Sequence, residues 1–158
     1  MNALTVDDVL GGKKTLGTSL NSKMDYFKLT SLGIPRNSLE HFIKFTQINK
    51  KDIEKILPVS SRTLQRYKNS NKLLDSVISE HLLKLTEMII KGVNVFGEKE
   101  KFFIWLNQPC LAFANKKPFD LLENQYGIEI VYDELGRIEY GVFSWNYTEL
   151  LNNNIFKI

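Results

Sequence analysis

Residues 52–69 read DIEKILPVSSRTLQRYKN, and this stretch decides the fold class. Ile53, Ile56 and Leu57 recur at helical spacing, and Asn49 with Asp52 three residues on makes an N-terminal cap. Pro58 ends the helix, because a residue preceding proline is pushed out of helical geometry. Val59 and Ser60 make a turn. Ser60 or Ser61 then caps a second helix to about Asn69, with Leu64 and Tyr67 pointing inward. Two short helices, a break of about three residues and inward apolar positions in both fit a helix-turn-helix. Ser61, Arg62, Gln65, Arg66 and Asn69 then face outward, with Lys68 beside them. Arg suits the two acceptors of guanine and Gln or Asn suits adenine, while Lys50, Lys51, Lys68 and Lys72 suit phosphates. The turn lacks the glycine common in such motifs, so an αα-corner with a solvated polar face remains the alternative.

Outward from this stretch, apolar residues repeat every three to four positions almost throughout, which predicts an all-α chain. Thr5 caps a short helix ending at Gly11-Gly12, and the Gly/Lys/Thr/Ser-rich residues 11–20 read as a mobile connector. Ser22 caps a helix through Leu32, and a third runs over about residues 37–46 on Leu39, Phe42, Ile43 and Phe45. A long helix is predicted over residues 72–96, since Leu74, Ile78, Leu82, Leu85, Ile89, Val93 and Phe96 form one face, widened by Val77 and Met88. Residues 98–107 give another helix and Pro118 opens a single turn. A last helix runs from about Gly127 to Tyr140 with Ile128, Val131, Tyr132, Leu135 and Ile138 inward. There is no internal repeat and no low-complexity tract. The expected organisation is an N-terminal arm (1–20), a helix-turn-helix domain (21–94) and a small helical domain with a tail (95–158), joined by the long helix.

Composition sets the outer bounds. The chain has 158 residues, 43% of them hydrophobic, enough apolar surface to exclude a wholly disordered chain. Net charge is only +3, but residues 1–96 carry 15 Lys+Arg against 9 Asp+Glu and residues 97–158 carry 6 against 9. The excess concentrates in residues 49–72, around the helix-turn-helix, as a nucleic-acid footprint would. The longest apolar run, residues 102–106, is far short of a membrane span, and the N-terminus has no basic-then-apolar leader. A lone cysteine, Cys110, allows no internal disulfide, so a cytoplasmic protein is expected.

The constellations that carry chemistry are missing. Gly11-Gly12 lacks a following Gly-Lys-Ser/Thr, His41 and His81 stand alone, and no Cys or His pair has metal-ligand spacing. Cys110 reads as a small buried residue, and Glu129, Asp133, Glu134 and Glu139 as an acidic solvated helix face. Neither enzymatic activity nor a cofactor is expected.

The C-terminal half carries an ordered string: Val95-Phe96-Gly97-Glu98, Trp105-Leu106-Asn107-Gln108-Pro109, Lys117-Pro118-Phe119-Asp120-Leu121-Leu122, Gly127-Ile128-Glu129-Ile130-Val131, and Leu135-Gly136-Arg137-Ile138-Glu139-Tyr140-Gly141-Val142-Phe143. This resembles the toxin-binding domain of Xre/MbcA/ParS-type antitoxins, and residues 59–67 resemble the recognition helix of the Xre-like domain joined to it. The resemblance covers roughly residues 35–144. It implies an all-helical antitoxin of a type II toxin-antitoxin system with two tasks. One is to neutralise a RES-type toxin, which has an ADP-ribosyltransferase-like fold and consumes or transfers from NAD, by covering its active site. The other is to repress its own operon through the helix-turn-helix. The implied toxin contacts are Arg137, Tyr140, Gly141 and Phe143. Trp145 follows them, and with Val142 and Phe143 it forms an apolar cluster of the kind that anchors interfaces. Two departures stand out: Ala114-Asn115-Lys116-Lys117 replaces a turn of small residues, and Asn124 stands where Thr is usual. A homodimer is expected because groove-reading modules bind paired half-sites. The runner-up is a stand-alone DNA-binding regulator without a toxin partner.

Overall fold

A computed structural model describes residues 3–141, which are all-α: nine α-helices and two short 3-10 segments, with no strand among the described residues. The chain divides between Ile90 and Lys91 into two compact units. The first holds α1 (Val6–Leu10), α2 (Gly12–Leu16), α3 (Lys23–Leu32), α4 (Arg36–Thr46), α5 (Lys50–Ile56), α6 (Ser61–Lys68) and the larger part of α7 (Ser76–Phe96).

Local capping explains several helix starts. Thr5 and Ser22 close capping boxes with Asp8 and Asp25, and Asn49 and Ser60 accept from the backbone of Asp52 and Thr63. The Ser22 hydroxyl, bonded to the Asp25 carboxylate at 2.9 Å, holds that carboxyl below its usual range. The core of this unit is built from Val9, Leu10, Phe42, Ile53, Ile56, Leu82, Leu85 and Met88, with α1 packed on α4.

Three expectations are corrected here. Residues 11–20 are not a plain connector: Gly12–Leu16 is helical, with Leu10 and Leu16 buried. Gly11 and Gly17, at φ of +95° and +74°, are left-handed helix caps. Gly11 also sits against α4, where a Cβ would come within 2.4 Å of the His41 ring. The long helix starts at Ser76, not at 72. The residues before it are held extended: Leu73 bridges to Pro35, and Leu74 N donates to Ile34 O at 2.8 Å. The Asp75 carboxylate then accepts from Ile78 N at 2.9 Å and caps α7. At 21 residues, α7 is about 31 Å long. Finally, Val77 does not widen the apolar face; it is exposed, whereas Met88 is fully buried.

The second unit contains the last turns of α7, α8 (Lys99–Leu106), 3-10 segments at Leu111–Phe113 and Pro118–Leu121, and α9 (Gln125–Glu139). Phe102, Leu106, Leu122, Val131 and Leu135 are its fully buried centre. The rings of Phe96 and Trp105 lie 5.5 Å apart, and those of Phe102 and Trp105 6.1 Å apart. Gly92 admits Phe102 onto α7, since a Cβ there would lie 2.1 Å from the ring. Cys110 is buried, and that burial pushes its thiol pKa up. The segment after it turns through positive φ at Ala114 (53°) and Asn115 (63°), and Cys110 N donates to Lys116 O at 3.0 Å. That geometry gives a reason for small residues here.

Helix α9 begins two residues before Gly127, because Asn124 Oδ1 accepts from Gly127 N at 3.0 Å. Ile128, Val131 and Leu135 are inward as expected, but Tyr132 is exposed and Glu134 is buried. The helical phase explains both. Glu134 lies three residues after Val131, on the same face, while Tyr132 lies a hundred degrees away. No helix among the described residues is long and apolar enough to cross a membrane.

Candidate functional site

In the first unit, α5 and α6 are two short helices joined by a turn over residues 57–60. Leu64 and Tyr67 are buried, and Ser61, Arg62, Gln65, Arg66, Lys68 and Asn69 are all exposed. The spacing of 61, 62, 65, 66 and 69 gathers the donors of two arginines, a glutamine and an asparagine on one face. Lys50, Lys51 and Lys72 are also exposed around the pair. Such a face can donate to base edges and neutralise phosphates.

Three residues that the sequence did not mark as supports hold this helix pair in place. The Arg36 guanidinium of α4 donates to Tyr67 O at 3.1 Å and also to Lys68 O, filling carbonyls at the C-terminus of α6. The Tyr67 hydroxyl donates to Asp75 at 3.3 Å, linking α6 to the cap of α7. His81 is buried, with Nε2 donating to Ile56 O at 2.6 Å at the end of α5. A helix-end carbonyl has no intrahelical partner, so a cation or N–H from another element is the available signal. Its source cannot be placed from spacing alone.

Between α4, α5 and α6 lies an apolar cavity of about 150 Å³, lined by Leu39, Ile43, Ile53, Leu64 and Tyr67 with Arg36 at its edge. This is below the roughly 300–1,000 Å³ usual for cofactor and substrate pockets. Among the described residues no three of His, Cys, Asp and Glu converge on a metal position.

In the second unit, Arg137 and Tyr140 lie at the end of α9, and Gly141 follows with φ of +71°. Tyr140 is exposed. Arg137 is half-exposed and its guanidinium is paired with the buried Glu134, so its donors are partly committed within the helix. Lys91 anchors the same end of α9, with Nζ 2.6 Å from Glu139 and 5.2 Å from the centroid of the Tyr132 ring; the hydrogen bond to Glu139 pushes the Lys91 pKa up. Val142, Phe143 and Trp145 lie outside the described residues.

Comparison with known proteins fits this division. Residues 91–141, the whole described part of the second unit, match the family of antitoxin Xre/MbcA/ParS C-terminal toxin-binding domains. An "Antitoxin Xre" of Yersinia enterocolitica is 27% identical over 114 residues, covering 72% of this chain and 77% of the relative. A "Prs ADP-ribosylating antitoxin" of Sphingobium is 26% identical, covering 78% and 83%. An "Antitoxin Xre" of Photorhabdus laumondii is 22% identical, covering 83% and 89%. With an all-α first unit and a match to toxin-binding domains over residues 91–141, this chain is similar to antitoxins of the Xre/MbcA/ParS type.

Proposed function

We propose that this chain is an antitoxin and works by occupying two surfaces, without catalysis and without a cofactor. The face of α6 formed by Ser61, Arg62, Gln65, Arg66, Lys68 and Asn69 binds the operator of its own operon as a homodimer and represses it. The end of α9 and the residues beyond, Arg137, Tyr140, Gly141, Val142, Phe143 and Trp145, enter and cover the active site of a RES-type, NAD-consuming toxin in the cytoplasm. The observation that carries this reading is the presence in one chain of a matched toxin-binding domain and an outward arginine- and glutamine-bearing helix held by its own scaffold.

The test is co-expression with the product of the adjacent reading frame and purification through a tag on this chain. A co-purifying partner whose NAD turnover is silenced in the complex is expected. A complex that still turns over NAD refutes active-site occlusion. A chain that binds its promoter but retains no partner belongs to a stand-alone regulator instead.

A further inference from the structure

Helix α3 turns an apolar stripe away from the core. Met24, Phe27, Lys28, Ser31 and Leu32 follow the i, i+3, i+4, i+7, i+8 spacing of one helix face, and every one of them is exposed. Met24, Phe27 and Leu32 are 57%, 65% and 75% exposed, while Leu29 on the other side is buried. The stripe continues onto a second element. Leu73, 49% exposed, bridges to Pro35, and a Cβ on Gly33 would lie 3.1 Å from its own Cβ. Leu73 therefore adjoins the residue that follows Leu32. It also sits in the connection from α6 to α7, four residues beyond α6's C-terminal cap at Asn69.

We infer that this face, Met24, Phe27 and Leu32 of α3 with Leu73, is the surface through which two copies of the chain pair. Weighted by side-chain size, these exposures leave on the order of 500 Å² of mainly apolar surface, at the upper end of what a monomer normally shows. Folded on itself about a two-fold axis, the patch buries about 1,000 Å², the lower bound of a specific interface. A self-complementary patch needs a centre free of like charges. Here the only charged residue in the stripe is Lys28, with a long stem that can lie flat and carry its ammonium to the rim. Position argues the same way: a seam beside the connection that leaves α6 brings two copies of α6 close together, as paired half-sites require. The inference rests on the homodimer in the proposed function and names the surface that forms it.

The test measures the mass of the full chain in solution without DNA or toxin, for the wild type, for Phe27→Asp and for Leu73→Asp. The wild type is expected to be a dimer at micromolar concentration. Each substitution, placed on a different element at an exposed site, should weaken the dimer by roughly tenfold to a hundredfold. The thermal midpoint of the dissociated chain and its binding to a single half-site should be retained. Three results overturn the inference. A monomeric wild type removes the homodimer itself. A dimer untouched by both substitutions places the seam elsewhere. Loss of toxin capture with the dimer intact assigns the patch to the toxin.

Discussion

Gly127→Ala is the most discriminating single change in the second unit, because two effects of opposite sign meet there. Gly127 lies within α9, where alanine is favoured over glycine by about 1 kcal/mol of helix propensity. Against this, a Cβ at that position would lie 1.7 Å from the backbone oxygen of Leu121 and 2.6 Å from its carbonyl carbon. Ordinary contact begins near 3.4 Å, so α9 and the 3-10 turn must separate by about 1.5 Å, and a main-chain carbonyl cannot swing aside as a side chain can. Ile128, Val131 and Leu135 dock this helix, and burial of each contributes about 1.5–3 kcal/mol. A gap of even 0.5–1 Å forfeits roughly a quarter to a half of contact attraction. The loss is then about 2–4 kcal/mol, and after the gain in propensity the net cost is about 1–3 kcal/mol. Urea unfolding followed by tryptophan fluorescence should show this as a lower midpoint. Toxin capture should fall with it, while operator binding by the first unit stays unchanged. A variant as stable as the wild type and fully able to capture toxin would refute the close approach of α9 and the turn.

The other predictions are narrower. Arg62→Ala should weaken operator binding by about 1–3 kcal/mol and relax sequence preference at one position, read by fluorescence anisotropy; unchanged binding would remove α6 as the reading helix. Tyr140→Ala should leave stability within about 0.5 kcal/mol yet weaken toxin binding by about 2 kcal/mol or more if the ring is an anchor. Arg137→Ala, by contrast, takes a cation from the buried Glu134 and should lower the thermal midpoint of the free chain as well. Asp25→Asn tests the capping box of α3 by its pH dependence. Asp25 has a lowered carboxyl pKa in the folded chain, so its stabilisation is present above the unfolded-state value and is lost as pH falls through the folded one. The variant should therefore melt below the wild type at neutral pH, and the two curves should converge in acid.

Periodicity and caps made most of the helices legible. The stripes of α4, α5 and α6, the Ile128, Val131 and Leu135 part of that of α9, and the caps Thr5, Ser22, Asn49 and Ser60 are where the sequence puts them. What escaped was determined by contacts distant in sequence. Glycines at 11 and 17 look like hinges, but they act as caps because His41 and the core fix the segment they punctuate. The delayed start of α7 follows from Ile34 and Pro35 claiming residues 73 and 74 before the helix can. On α6, the exposed residues could be read from phase alone, because Leu64 and Tyr67 fix which side is inward. The supports, Arg36, Asp75 and His81, reach across 8 to 32 positions, and no local pattern marks them. Glu134 was misread for a simpler reason: carboxylates usually face water, and only a partner such as Arg137 one turn away makes its burial tolerable.

The border between the two units falls inside an unbroken helix, between Ile90 and Lys91 of α7. Anyone dissecting the molecule with scissors will therefore damage what they isolate. A cut at the border strands four carbonyls on one fragment and four amides on the other. It also deprives the second fragment of the helical stem that leads into Gly92, where Phe102 is seated. Testing the proposed repression and neutralisation separately calls for surface point changes in an intact polypeptide, and failures of truncated halves will say little about which half serves which proposed task.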